Sequence, residues 1–258
     1  MIKNYSAEDF TLVLSGGGAL GISHLGVLHD LEINGLTPKE IVGTSMGGII
    51  GACIAIGMRE KEILEQIQSF VSISNWIKFS FSGNAIVDND KIAKIFSEIF
   101  GERKMSETLI PLKLIATNLR SGEKKVFTAL DDVYIKDAIL STMAIPGVFE
   151  EHTIDGDIYG DGFLCENLGI NEASYKYVIA VDALGNNSFE KEMPDNFFKT
   201  ANVFNMFEKS MRLLIYNQTQ THIRNSDKSI YLIEPNTKKY KTFDFHKITE
   251  IRALGLGF

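Results

Sequence analysis

Ile41-Val42-Gly43-Thr44-Ser45-Met46-Gly47-Gly48-Ile49-Ile50-Gly51-Ala52 is the stretch whose reading decides the fold. A short apolar run, Ile41 to Thr44, stops at a serine, and an almost wholly apolar stretch, Gly47 to Gly57, follows. The run reads as a buried strand, and the stretch as a buried helix with no polar face to offer solvent. Between them Gly43-Thr44-Ser45-Met46-Gly47 fits G-x-S-x-G. Its glycines let the backbone turn sharply, so the serine hydroxyl is pushed out at a helix N-terminus. The dipole and free N–H groups there favour a developing negative charge. Ser45 is therefore a candidate nucleophile, and the competing reading is a glycine-rich turn with a serine cap.

The same pattern precedes it. Thr11 to Ser15 is another strand-like run, ending in Gly16-Gly17-Gly18-Ala19-Leu20-Gly21 and a helical pattern from Ala19 to Gly35. Such glycines allow close approach to a bound group, and their N–H groups can cradle an anion. Two chemistries fit: an oxyanion hole, or a dinucleotide cradle, since Gly16, Gly18 and Gly21 satisfy G-x-G-x-x-G. The cradle needs an acidic residue at the end of the second strand. That strand ends in Ser45, and Glu40 precedes it, so the spacing favours the oxyanion hole.

Farther along, helical patterns cover Glu60–Val71, Asp90–Phe100, Tyr134–Met143, Asn202–Gln220 and Lys247–Leu254. Strand patterns cover Leu112–Thr117, Lys125–Phe127, Tyr177–Val181 and Ser229–Ile233. His152–Ile154 and Ile158–Tyr159 flank the turn signal Asp155-Gly156. Strands alternating with helices predict an α/β fold with a mostly parallel sheet. No repeat or Pro-rich linker divides the 258 residues, which read as a single domain, 1–258.

A nucleophilic serine needs a base. The order Ser45, Asp182, His222 would allow a triad, yet none of the five histidines sits in an evident loop or strand end suited to it. Asp161, in Tyr159-Gly160-Asp161-Gly162, follows a strand pattern and is bracketed by glycines that can expose it. A free Asp, with a pKa of about 3.9, is a weak base, so such a dyad leans on oxyanion stabilisation. Asp155, Asp157, Gly160 and Glu166 also mimic part of a calcium loop, but Tyr159 is a poor ligand and the flanks read as strands. Cys53 reads as core. No metal and no organic cofactor is called for.

Composition narrows the partners. The net charge of −7 disfavours nucleic acid, whose binding rests on neutralising phosphates. The first ten residues carry no apolar signal core, and no run reaches the roughly 20 residues that span a bilayer, so a cytoplasmic location is expected.

These pieces together resemble the patatin-like phospholipases, particularly short bacterial members. The likeness runs from about residue 10 to 185 through the two glycine motifs, Ile110-Pro111-Leu112, Ala116–Glu123, Ser141–Phe149, Asp161-Gly162 with Asn167, and Val178–Asp182. It implies a three-layer α/β/α sandwich and hydrolysis of lipid esters by a Ser–Asp dyad without histidine, through an acyl-enzyme. Carried over by position, Ser45 is the nucleophile and Asp161 the base. Gly16, Gly17, Gly18 and Met46 supply the oxyanion hole, and Gly21, Gly43, Gly47 and Gly162 support the motifs. Three departures stand out. Leu20 replaces a usual Arg or Lys, Phe163 replaces a small residue, and Gly169 replaces a frequent Pro. A catalytically weak lipid-binding protein is the reading these departures leave open, beside a His-containing triad esterase.

Residues 186–258 form an extension outside the likeness. Asn75–Phe81 and Phe197–Phe207 are candidates for a lipid access wall, in transient contact with a membrane or micelle. Phe197–Phe207 also reads as a core-packing helix. Lys238, Lys239 and Lys241 read as a solvated run or a contact for anionic headgroups.

Overall fold

The structure, a computed structural model, describes residues 8–74, 89–189 and 200–258. Among them, eight strands form one sheet: β1 (Phe10–Leu14), β2 (Glu40–Thr44), β3 (Leu112–Asn118), β4 (Lys124–Phe127), β5 (His152–Ile154), β6 (Asp157–Asp161), β7 (Tyr177–Val181) and β8 (Ser229–Ile233). The helices are α1 (His24–Ile33), α2 (Met46–Ala55), α3 (Glu60–Ser74), α4 (Asn89–Phe100), α5 (Ile135–Thr142), α6 (Thr200–Asn225) and α7 (Ile248–Ala253). The segment Asn75–Phe81 and residues 197–199 of the second access-wall candidate lie outside the described residues.

β3, β2, β1, β7 and β8 run parallel in that spatial order. The chain moves one way from β1 through β2 to β3, and the other way from β7 to β8. The reversal opens a crevice beyond the carboxyl end of β1, where ligands of such sheets bind. All five residues of β1 are buried, as the continuous apolar run demands for a strand covered on both faces.

Alternation along each strand divides the core between two faces. Leu12, Leu14, Ile41, Leu114 and Val181 join the core under α1 to α5, with Leu25, Ile50, Ile63, Phe96 and Ile139. Val13, Val42, Ile115, Val178 and Ala180 point the other way, against Leu168, Ile170 and Ala173, with Ile223 of α6 packed on them. This is the expected three-layer α/β/α sandwich. β8 extends the sheet beyond β7, so the extension is built into the same sheet.

Two local features bear on the site, the first a departure from the sequence pattern and the second in accord with it. The single helix expected from Ala19 is divided: Gly18–Ser23 is a tight 3₁₀ segment, and α1 begins at His24. Ala19 N–H donates to the Thr242 carbonyl (2.8 Å) and Leu20 N–H to the Gly17 carbonyl (3.1 Å), which pulls the first turns tight. The Asp155-Gly156 turn has φ of 52° and 87°, the paired positive values of a two-residue hairpin, so the partial calcium motif starts as the β5–β6 hairpin.

Candidate active site

Ser45 joins β2 to α2 with φ 52° and ψ −124°, one of two non-glycine residues described with positive φ. Such strain persists only where the surroundings enforce it. One enforcing contact is at Gly47: a Cβ there would collide with the carbonyl oxygens of Leu14 and Ser15. Another is Thr142 of α5. The Ser45 N–H donates to Thr142 Oγ1 (2.9 Å), and the Thr142 hydroxyl donates to the Ile115 carbonyl. Ile49 N–H bonds back to the Ser45 carbonyl (3.0 Å), and the amides of Met46, Gly47 and Gly48 before it are the open donors of the helix N-terminus.

Asp161 arrives from the opposite direction. β2 pairs with β3 up to Thr44–Ile115, and β6 pairs with β3 from Asp161–Ala116 onward. β4 pairs with both Ile115 and Ala116, so it occupies the other edge of β3. β2 and β6 therefore abut on one edge, which sets Asp161 beside the turn carrying Ser45. Close packing continues at Gly162, where a Cβ would strike the Ile115 carbonyl.

Asp161 is fully buried. Its Oδ1 accepts the Phe163 N–H (3.0 Å), while its Oδ2 has no hydrogen-bond partner among the described residues. Burial pushes its pKa up to about 7, against the Phe163 N–H and the nearby Ser45 side chain, which both lower it. Ser45 is thus near enough to influence Asp161 without a well-aligned hydrogen bond, and such bonds often tighten only when substrate binds.

The glycine loop lies across from them. Gly16 packs against Ser45 and Asn167, and its N–H donates to the Asn167 carbonyl (3.4 Å). The Gly17 and Gly18 N–H groups have no such backbone acceptor among the described residues. Gly18 has φ 56°, and a Cβ there would meet the Thr242 carbonyl. Gly21 closes on the Met46 side chain, and Gly43 on the backbone of Gly47 and Gly48. Behind the loop, His24 donates from Nε2 to the Ser15 carbonyl (2.8 Å). Burial pulls its pKa down to about 4, so the ring is neutral. Asp182, buried beside Ser15, is pushed up to about 7, chiefly by burial and further by Glu234.

Two cavities meet at Ser45. The first runs under α2, α3 and α4, past Met46, Ile49, Cys53, Ile67 and Phe96. The second holds Asp161, Asn167, the Gly16–Gly18 loop, Glu208 and Arg212. Gly18, Ser45, Ile145 and Phe243 line both. No histidine lines either cavity. His222 lies against Glu166 (3.2 Å) and His152 bonds to Asp137 (3.1 Å), so the Ser45–Asp182–His222 order does not become a triad. Among the described residues, no group of His, Cys, Asp and Glu could hold a metal ion.

Leu20 and Phe163, the first two departures from the family pattern, belong to one apolar cluster with Ala183, Leu184 and Ile215. Leu20 itself is fully buried there. At Gly169, any side chain would press on Ile115. The candidate set drawn from sequence omits Thr142, Thr242 and Phe243. Thr142 touches Ser45 from 97 residues away, and no periodicity signals that.

An elbow serine, a buried carboxylate and a glycine loop thus meet at one end of this sheet. The sequence matches the patatin-like phospholipase family over residues 12–174, and the chain belongs to that family. It is 25% identical over 279 residues to lysophospholipase NTE1 of Debaryomyces hansenii, covering 98% of this chain and 18% of that protein. It is 30% identical over 169 residues to an uncharacterized NTE family protein of Mycobacterium tuberculosis, covering 65% of this chain and 46% of that one. The chain thus spans less than half the length of either relative. VipD from Legionella pneumophila shares the fold, with a TM-score of 0.50 and 16% identity over 96% of this chain and 64% of that one.

Proposed function

We propose that this chain hydrolyses lipid carboxylic esters, as a phospholipase A or lysophospholipase does, with Ser45 and Asp161 as a dyad. Ser45 Oγ attacks the ester carbonyl while its proton passes to Asp161 Oδ2. A carboxylate raised to about 7 is a far better base at neutral pH than a free Asp. The carbonyl electron pair moves onto oxygen, which the Gly17 and Gly18 amides receive, with Gly16 and Met46 beside them. The C–O bond then breaks, and Asp161 gives its proton to the departing alcohol. Water, deprotonated by the same carboxylate, attacks the acyl-enzyme; the acyl–Oγ bond breaks, Asp161 returns the proton to Ser45 Oγ, and the acid is released. The observation that carries this reading is the burial of Asp161 against the strained Ser45 turn.

The mouth of the second cavity supports transient contact with a membrane or micelle. Leu164, Phe207 and Phe243 line it and stand 40%, 64% and 41% exposed, an apolar rim from three separate segments. No described helix is long and apolar enough to cross a membrane.

The test is fluorophosphonate labelling and p-nitrophenyl ester turnover in wild type, Ser45→Ala and Asp161→Asn. Labelling lost in Ser45→Ala, with turnover lost in both variants, is the expected result. A folded wild type that neither labels nor turns over would replace this reading with that of a lipid-binding protein.

A further inference from the structure

The cavity under α2 has a length that can be counted in residues. Ser45, Ile49 and Cys53 are four apart, so they lie in a row on one face of α2, and all three line the cavity. Ile56 and Gly57, the next positions along that row, do not line it. At a rise of about 1.5 Å per residue, Ile49 lies about 6 Å and Cys53 about 12 Å beyond Ser45. The opposing wall is apolar almost throughout, with Ile63 and Ile67 from α3 and Ile95, Phe96 and Ile99 from α4. Such a wall welcomes methylenes and gives a charged or hydroxylated group nothing to bond. Burial pushes the Cys53 thiol up to about 12, so it serves as an inert apolar wall. The polar side chains Asp161, Asn167, Glu208 and Arg212 all line the other cavity.

We infer that the cavity beside α2 is an acyl-chain ruler, in which Ile49 and Cys53 mark successive lengths and Cys53 sets the limit. This rests on the proposed hydrolase reading for its chemistry. An extended alkyl chain built from bonds of about 1.5 Å advances about 1.3 Å per carbon, so about 12 Å holds nine or ten carbons. Chains of that length fill the row, and further carbons gain no more α2 wall. The alcohol part of the ester occupies the second cavity, on the other side of Ile145 and Phe243.

A series of p-nitrophenyl esters from two to sixteen carbons reads this directly. In wild type, kcat/KM should climb about fourfold per carbon, the worth of one buried methylene, and level off near ten carbons. A climb that continues undiminished to sixteen overturns the ruler. Cys53→Phe should move the plateau to about eight carbons, and Ile49→Phe to about five, in that order. Equal losses on every ester in both variants would also overturn it. Should either variant fail to fold, the wild-type profile alone decides.

Binding separates this inference from the hydrolase reading. Fatty acids of six to sixteen carbons can displace a fluorescent fatty acid from Ser45→Ala, where no turnover occurs. Affinity that levels off near ten carbons supports the ruler even if wild type proves inert to every ester. Turnover with no length limit in either assay retains the hydrolase and removes the ruler.

Discussion

Asp161 sits across from Ala116 on β3, one register step beyond the Ile115–Thr44 pair that ends β2. Two strands of opposite direction thus end head to head on a single edge. The last residue of one precedes the nucleophile candidate, and the last residue of the other is the carboxylate. Neither β2 nor β6 alone makes a site. The abutment also shuts water away from Asp161, and that burial sets its proton affinity.

Ester turnover should therefore depend on pH in a way a free aspartate would not produce. The base form is the carboxylate, so kcat/KM should fall tenfold per unit below a pKa near 7 and level off above it. A free Asp would leave the rate flat from pH 5 upward. Asp182 is raised to about the same value, so Asp182→Asn is the control. The ascending limb should persist in that variant. A limb that vanished would assign the titration to the carboxylate behind the glycine loop.

Stability carries the opposite signature. A raised carboxylate pKa means that the folded state disfavours the ionised form. The penalty is absent below the unfolded value of about 3.8, grows between there and about 7, and is constant above. Asp161→Asn should melt higher than wild type at pH 8, and the two should converge near pH 4. A rise from 3.8 to about 7, at about 1.4 kcal/mol for each tenfold change in proton affinity, sets a ceiling of about 4 kcal/mol on the gain. Thermal unfolding at pH 4, 6 and 8 measures it.

Thr142 should matter to both folding and rate, because its hydroxyl links the Ser45 N–H to the Ile115 carbonyl. Thr142→Val keeps the shape and leaves two buried backbone groups unpaired, a loss of about 1–3 kcal/mol in urea unfolding. The Ser45 turn is strained, so kcat should fall by more than KM rises. Thr142→Ser should restore most of both.

Much of this architecture was legible in the chain. The runs at Thr11–Ser15, Ile41–Thr44 and Tyr177–Val181 are strands, because segments buried on both faces are dominated by apolar, strand-forming residues, with only small polar ones such as Thr11 and Thr44 among them. G-x-S-x-G identifies the Ser45 turn since close backbone approach admits only glycine at Gly47. Relations between distant segments were not legible. The proton affinity of Asp161 follows from burial, and its own tripeptide shows only an Asp between glycines. Thr242 and Phe243 reach the glycine loop from beyond the family match, on a stretch whose sequence displays only a basic run. At the 3₁₀ start, the Thr242 carbonyl likewise accepts the Ala19 N–H, one of the first-turn donors that a helix leaves without an internal partner.

The apolar rim yields the last prediction. Leu164, Phe207 and Phe243 surround the mouth of the second cavity, and large exposed apolar side chains clustered at one opening mark an interaction surface. Lys238, Lys239 and Lys241 are exposed in the same loop as Phe243, which favours anionic over zwitterionic headgroups. Phe207 lies on α6 and faces outward, so replacing it tests the surface with little cost to the core. Phe207→Ser should reduce co-sedimentation with phosphatidylglycerol vesicles roughly tenfold, the worth of one buried phenyl ring. Leu164→Ser should act in the same direction by a smaller factor. High salt should weaken wild-type binding to these vesicles without abolishing it, because the lysines are screened and the rim is not. Vesicle binding that ignored both substitutions would move the contact to another face of the molecule.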